Sequence, residues 1–188
     1  VLVRPFDRMP ERGKISLVDQ LELHLGGCAL NPAIDLAKLG VEVGIIGKVG
    51  DDGFGKFILQ EIEKNGIDRR GIKISKSDGT SATLVIVSSD GERSLVRYYG
   101  TDNAFGLDDI AWELIKSAKV LHIGGVFMLP SLDGEPTVEI LKRAKEWGVT
   151  TSIGTAWSLR GCPFELIKDY FPYTDIFISN YEEAESIT

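Results

Sequence analysis

The chain has 188 residues, of which 43% are hydrophobic and 26% charged, and it carries a formal net charge of −7. This composition predicts a globular protein with a sizeable core, and its acidic balance argues against a nucleic-acid or anionic-membrane partner. Two cysteines, Cys28 and Cys162, are too few for a disulfide framework or a zinc site, which favours a reducing, cytoplasmic compartment. No apolar run reaches the length of a membrane-spanning helix.

The first third of the chain predicts β structure followed by two helices. Residues 1–4 indicate the end of a strand, and polar and apolar residues alternate over 12–25 as in strands with one face in water. A mostly apolar segment over 28–40 predicts a largely buried helix that ends at Gly40. A strand is expected over 43–49, an amphipathic helix over 52–65 and a strand over 72–74.

Residues 80–99 contain two β-rich runs around Asp90-Gly91, which is a strong hairpin signal. We expect the 12–25 and 80–99 segments to pair as a small antiparallel flap outside the main sheet. The whole chain then forms one incomplete α/β domain, 1–188, with these two lid segments inserted in it.

The second half of the chain alternates between helices and strands. Asp108 is expected to cap a helix that carries Ile110 and Trp112, and His122 lies in an apolar strand as a core histidine. The remaining predicted elements are strands over 120–123, 149–153 and 175–178, helices over 135–147 and 164–170, and a helix that follows Asn180. Such alternation predicts a mostly parallel sheet with helices on both faces.

Gly26, Gly27 and Asn31 form a first candidate binding site. Two glycines allow a ligand to approach the backbone closely, and a carboxamide at a helix start can bind hydroxyl groups. The structural alternative is a flexible entry into a buried helix, with Asn31 as the N-cap and Pro32 at the first helical position.

Residues 50–56, G-D-D-G-F-G-K, match the spacing of a phosphate-binding P-loop between a strand and a helix. Phe57 stands where a magnesium-binding Ser or Thr is needed, and Asp51 and Asp52 would repel phosphate oxygens. We therefore interpret the two aspartates as helix N-terminal caps.

Three further positions could carry chemistry. Asn180 and Glu183 follow an apolar strand, where a carboxamide and a carboxylate suit a hydrated magnesium ion and phosphate; the alternative is a capping box. Arg97 lies on the predicted hairpin and either meets an anionic substrate or faces solvent. His24 is expected to face water.

These features, in this order, resemble the PfkB/ribokinase family of carbohydrate and nucleoside kinases. The resemblance rests on the Gly-Gly-to-V-G-D-D-G-F-G stretch at 25–55, on T-D-N-A-F at 101–105, on H-I-G-G-V-F-M-L-P and on the N-x-x-E of I-S-N-Y-E-E-A-E. The resemblance covers essentially the whole of this chain. This chain in turn corresponds to about the first 60% of a typical family member.

The resemblance implies an αβα sandwich of the ribokinase type with a β lid, and ATP- and Mg²⁺-dependent phosphorylation of a sugar hydroxyl. It implies that Gly26, Gly27 and Asn31 bind the sugar, that Asn180 and Glu183 organise the metal and phosphates, and that the lid can form a homodimer. Arg97 is expected to contribute to substrate binding and specificity from its place on the lid. The family's catalytic Asp lies in a G-A-G-D run that is absent here and would fall beyond Thr188.

Two departures from the family pattern affect what we expect. Gly154 stands where many relatives carry Asp, and the middle of the first motif is C-A-L. These departures put the usual acceptor geometry in question. Because the G-A-G-D run is absent, the chain alone is predicted to be inactive, as the N-terminal portion of a sugar kinase. The alternative is a non-catalytic sugar or nucleoside binding module on the same scaffold.

Overall fold

The computed structural model describes residues 1–157, 161 and 163–188, so Cys162 lies outside the described residues. The strands there are β1 Leu2–Arg4, β2 Gln20–Glu22, β3 Gly44–Gly50, β4 Asp68–Ser75, β5 Ala82–Val87, β6 Arg93–Tyr98, β7 Val120–Val126, β8 Thr150–Thr155 and β9 Ile176–Ile178. The helices are α1 Leu30–Lys38, α2 Gly53–Lys64, α3 Trp112–Lys116, α4 Glu135–Glu146, α5 Phe164–Ile167 and α6 Tyr181–Ile187. Short 3-10 helices span Gly100–Asn103, Leu107–Asp109 and Lys168–Tyr173.

The strands form three sheets, two of which are entirely parallel. β3 pairs with β4, and β7, β8 and β9 pair in that order. Helices connect the parallel strands because a parallel connection must cross back over the sheet. The chain is thus an α/β protein of mixed sheets with parallel strands, which confirms the predicted fold class.

The third sheet is the lid, with the strand order β2-β1-β5-β6. The predicted hairpin is present: β5 and β6 are antiparallel, from Ala82 opposite Tyr98 to Val87 opposite Arg93. Gly91 has a φ of +90°, a value that glycine adopts without strain. The turn at Gly91 therefore reverses the chain between β5 and β6, as the sequence predicted.

The 12–25 segment differs from the prediction. Only Gln20–Glu22 forms a strand, and β1 lies between it and the hairpin, antiparallel to β2 and parallel to β5. Ile15 and Leu17 are 88% and 92% exposed, so their alternation does not reflect a half-buried strand. The reason is that a strand needs a partner edge, and β1 offers one over three residues only.

Three apolar clusters of described residues hold the helices onto the sheets, and one of them packs Ile115 of α3 against Ile140 and Ala144 of α4. The first packs α1 and α2 against β3, and its buried members are Leu30, Ala33, Ile34, Ile45, Ile62 and Ile67. The second places Leu141 of α4 and Ile167 and Tyr170 around Ile153 of β8. Each fully buried aliphatic side chain contributes on the order of 1.5–3 kcal/mol by leaving water.

Several predicted boundaries shift for local reasons. α1 begins at Leu30 with Ala29 as its N-cap, so Asn31 is in the first turn and does not cap the helix, and α1 buries only Leu30, Ala33 and Ile34. Asp109 rather than Asp108 accepts the Gly106 N–H before the 3-10 turn. The helix predicted over 164–170 becomes 3-10 from Lys168, and Pro172 in that segment has no N–H to donate.

One face of the β7–β9 sheet is partly open among the described residues. Neighbours on that face include Val120, Ile176 and Ile178, which are 55%, 46% and 54% exposed. The same face is covered at the end of β7, where the Cys28–Ala29 backbone packs on Gly124. Within the described residues, no helix has the length and hydrophobicity needed to cross a bilayer.

Asp52 joins three parts of the fold. Its Oδ1 accepts the Gly55 N–H of the first turn of α2 and the Thr80 hydroxyl, both at 2.8 Å, and its Oδ2 accepts the Thr80 N–H at 2.7 Å. The Thr80 hydroxyl in turn accepts the Gly50 N–H at 2.8 Å. Burial raises the pKa of Asp52, but these hydrogen bonds outweigh it, so the pKa lies below its ordinary value.

We expect Asp52→Ala to lower the free energy of unfolding by about 2 kcal/mol, because a helix cap and two lid contacts are lost together. Since the folded-state pKa is lowered, the stabilisation by Asp52 is present above the ordinary carboxyl pKa and is lost as pH falls through the lowered value. Urea unfolding at pH 7 and pH 3 measures both effects.

Asp51→Ala is the matched control for this substitution. The Asp51 side chain is exposed and has no hydrogen bond among the described contacts, although its N–H donates to Ser75 O at 2.9 Å. The predicted capping role of Asp51 is thus wrong. Equal losses of stability in the two variants at pH 7 would contradict the role of Asp52.

Candidate functional site

The loop that precedes α1 packs directly on the carboxyl end of β7. A Cβ added to Gly124 would lie 2.7 Å from Cys28 O, 2.8 Å from Cys28 C and 3.0 Å from Ala29 N. The next residue, Gly125, has a φ of +87°, and Gly27 has a φ of +124°. Only glycine allows two backbones to approach this closely while turning away from each other.

A cavity of about 820 Å³ lies beside this loop. Its lining includes Gly26 and Gly27, the end of β7, and the inner lid residues Val85, Leu95 and Arg97. A Cβ on Gly26 would meet nothing within 4 Å, so the backbone there faces open space. Asn31 is exposed in the first turn of α1, and its N–H donates to Gly27 O at 3.1 Å.

Arg97 lies on the lid strand β6 and is held in place by two neighbours. Its guanidinium donates to Asp102 Oδ2 at 2.5 Å and lies over the Tyr99 ring, 5.3 Å from the centroid. The side chains of Arg97 and Asp102 are 35% and 22% exposed. Arg97 is therefore at the cavity wall, and it carries an ion pair that the sequence did not indicate.

The charges of the lid and of α6 both act on Cys28. Partial burial raises the pKa of the Cys28 thiol; Arg97 opposes this rise, and Glu183 and Asp102 add to it. Such charge effects require proximity, since they fall off with distance. The contacts place the same groups near one another: the glycine loop packs on the end of β7, Arg97 lines the cavity with that loop, and Glu183 accepts from Thr155, the neighbour of Val126 at the end of β8. Ligands bind at this end of the strands in open α/β sheets.

Asn180 and Glu183 form a capping box at the start of α6. Asn180 Oδ1 accepts the Glu183 N–H at 2.7 Å, and Asn180 donates through Nδ2 to Glu183 Oε1 at 2.9 Å. Thr155, at the end of β8, donates its hydroxyl to Glu183 Oε2 at 2.6 Å. Glu183 is 5% exposed, so these donors keep a buried carboxylate satisfied.

The oxygen donors of this box are of the chemical type that Mg²⁺ takes. The described residues hold no group of three or more His, Cys, Asp or Glu side chains that could bind a metal ion on their own. A site with one carboxylate and one carboxamide instead suits an ion that keeps its waters and takes phosphate oxygens. Asn180 and Glu183 therefore fit a Mg²⁺ ion that keeps its waters and takes phosphate oxygens.

The two histidines, His24 and His122, are both exposed but have different neighbours. His24 is exposed and contacts Glu22 at 2.5 Å, which confirms the prediction that it faces water. His122 is also exposed rather than a core residue, with Nδ1 3.0 Å from Ser152 Oγ, and it lines the cavity. Its neighbours desolvate the ring enough to lower its pKa.

The P-loop-like stretch is a structural turn. A Cβ on Gly55 would lie 2.1 Å from Gly50 O, so these glycines fold the turn onto itself. Asp52 occupies the N-terminus of α2, where a phosphate would need to bind. This geometry confirms the interpretation of Asp52 as a cap.

Asp102 and Thr155 were missed by sequence reasoning. Asp102 lies five residues after Arg97, and Thr155 contacts a helix 28 residues further along the chain. Asp102 lies within the T-D-N-A-F motif and Thr155 lies in a strand, but neither position indicates its partner until the tertiary structure supplies it.

The model of the pfkB family of carbohydrate kinases matches residues 2–188. The chain belongs to this family. It is 34% identical over 147 residues to an ATP-dependent ribose-1-phosphate kinase of Halopiger xanaduensis, and 36% identical over 128 residues to a 5-dehydro-2-deoxygluconokinase of Clostridium perfringens. These alignments cover 78% and 66% of this chain, and 47% and 38% of the relatives.

Solved structures of full-length family members share the fold. The Arabidopsis thaliana ribokinase complexed with ribose and ATP superposes over all of this chain with a TM-score of 0.84 at 22% identity. The chain covers 58% of that ribokinase. It therefore spans little more than half the length of such pfkB-family proteins.

We expect Gly124→Ala to destabilise the fold by about 1–3 kcal/mol, because the new methyl group would displace the Cys28–Ala29 backbone. Denaturant unfolding measures this loss. Gly53→Ala is the control: a Cβ there meets nothing within 4 Å, so this variant should keep or gain stability. A Gly124→Ala variant as stable as Gly53→Ala would contradict the close approach.

Proposed function

We propose that this chain is the sugar-holding part of an ATP-dependent kinase that phosphorylates a hydroxyl group of a sugar or sugar-like molecule. The observation that carries the proposal is the glycine loop packed on the end of β7 beneath the lid. Membership of the carbohydrate kinase family supports the reaction class. The composition favours a cytoplasmic protein.

In this proposal the sugar binds between the glycine loop and the lid. Backbone groups at Gly26 and Gly27 are accessible because no side chain covers them, and the Asn31 carboxamide offers both a donor and an acceptor. Arg97 closes the opposite wall. Phosphate transfer depends mainly on positioning and charge stabilisation, so a rigid sugar site is itself a catalytic contribution.

Asn180 and Glu183 are the residues that we assign to the metal and the ATP phosphates. Bound Mg²⁺ would supply charge neutralisation at the transferring phosphate. Thr155 and Asn180 hold the Glu183 carboxylate in position by donating hydrogen bonds to it. Glu183 would then act on the metal's waters, since its oxygens are already occupied by these donors.

The sequence contains no G-A-G-D run, which in related kinases holds the Asp that removes the hydroxyl proton. We therefore expect this polypeptide to yield no sugar phosphate when it is incubated with ATP, Mg²⁺ and a panel of sugars. Product detection by mass spectrometry tests this, and ATP-dependent turnover would overturn it. A longer protein that contains this chain and such a run should be active; binding without turnover there would favour a non-catalytic binding module.

Sugar binding by the chain is tested separately by calorimetry. Asn31→Ala should weaken binding by about fivefold, the effect of one lost hydrogen bond. Asn65→Ala, which removes a carboxamide at the end of α2, should leave it unchanged. Equal effects of the two substitutions would exclude Asn31 from the sugar site.

We also propose a homodimer through the outer face of the lid. Cross-strand partners place Leu21, Val96 and Tyr98 on that face, and they are 70%, 58% and 57% exposed. Three exposed apolar side chains on one sheet face are a feature of association surfaces.

Val96→Glu should shift a dimer to monomer in sedimentation velocity experiments, because a carboxylate would be buried without a partner in the interface. Val41→Glu adds the same charge at a 49% exposed position away from the lid and should keep the wild-type mass. A monomeric wild-type chain at high concentration would refute the dimer.

A further inference from the structure

The Arg97–Asp102 ion pair lies at the wall of the candidate sugar cavity and changes what Arg97 can recognise. Both residues line the cavity together with Gly26 and Gly27. An isolated arginine at this position would favour an anionic substrate. The carboxylate of Asp102, in contact with Arg97 Nη2, cancels that charge within the same site.

The pair is fixed in position by contacts on both sides. The Asp102 N–H donates to Ser81 Oγ at 3.0 Å, and Ser81 Oγ donates to Tyr99 O. The preceding residue, Thr101, is fully buried and donates its hydroxyl to Lys48 O of β3 at 3.0 Å. Asp102 is thus anchored to the core and cannot withdraw freely when a ligand arrives.

The pair still offers hydrogen-bonding groups of both kinds. A guanidinium has five N–H donors, of which the described contacts use one on Asp102. Asp102 Oδ1 accepts no hydrogen bond among the described residues, so one carboxylate oxygen remains for a ligand donor. Adjacent sugar hydroxyls, each of which can donate and accept, match this combination.

The side-chain cations Lys48 and Arg93 at the cavity wall lie apart from this pair. Lys48 is paired with Asp109 at 3.0 Å and also donates to Ala104 O at 2.9 Å. Arg93 lies four residues from Arg97 along β6, which is roughly 13 Å at the usual rise of a strand. The Val1 ammonium is nearer, since it donates to the carbonyl oxygen of Thr83, the cross-strand partner of Arg97, at 2.8 Å. An anionic group placed beside Arg97 would still be close to the carboxylate of Asp102.

We propose that the Arg97–Asp102 pair selects neutral polyhydroxyl sugars against phosphorylated or carboxylated ones. This selection rests on the proposed sugar-kinase function and defines its substrate class. Asp102 is the specificity-determining residue, because it both accepts a hydroxyl and repels an anion. Arg97 then acts as a hydroxyl donor rather than as an anion-binding residue.

Calorimetric titration of the chain with ribose, fructose, ribose 5-phosphate and gluconate tests the proposal. The wild-type chain should bind at least one neutral sugar about tenfold more tightly than either anion, the effect of one like-charge contact near a protein surface. Asp102→Asn should remove or reverse this preference. Arg97→Gln leaves an uncompensated carboxylate and should increase the discrimination against anions.

Asp108→Asn is the matched control, since it removes the same charge from an exposed side chain outside the pair. It should keep the wild-type ratio of affinities, and circular dichroism should report folded protein for every variant. If Asp102→Asn does not fold, the affinities of Arg97→Gln for neutral and anionic sugars, compared with those of the wild type, test the proposal instead. Wild-type preference for an anionic sugar would overturn the selection but leave the kinase function standing. If no sugar binds to any folded variant, both are overturned.

Discussion

The close approach of the Cys28 backbone to Gly124 is the constraint on which the candidate site depends. It holds the start of α1 against the end of β7, two elements that are far apart in sequence. Because a methyl group at Gly124 would not fit against the Cys28 and Ala29 backbone atoms, the geometry of the contact is narrowly defined. The cavity, the accessible glycine backbone and the first turn of α1 all follow from it.

The lid is attached to this centre through polar rather than apolar contacts. Asp52 and Thr80 connect it to the turn between β3 and α2, and Thr101 connects it to β3. The outer and inner lid faces remain largely open to solvent. A sheet held at its base by a few hydrogen bonds suits a cover whose inner face contributes specificity and whose outer face can associate.

The charged groups of the site form ion pairs or hydrogen bonds within the chain. Arg97 with Asp102, Lys48 with Asp109, and Glu183 with Asn180 and Thr155 each meet their partner within the chain. A partly buried charge without a partner is costly, so pairing is expected wherever these groups leave water. Beside Arg97, a ligand would therefore meet paired donors and acceptors rather than an isolated charge, which is the basis of the substrate class proposed above.

The amino-acid sequence by itself determined the alternation of helices and strands, the Asp90-Gly91 hairpin, the Asp52 cap and the family, because each is local or is carried by an ordered motif. The tertiary structure alone decided which strands pair, since 12–25 alternates like a strand but forms one only where β1 offers an edge. It also decided that His122 is exposed and that Asp102 neutralises Arg97. Strand pairing, exposure and ion pairing depend on which residues lie opposite a side chain in the folded protein. The spacing of residues along the chain does not specify those neighbours.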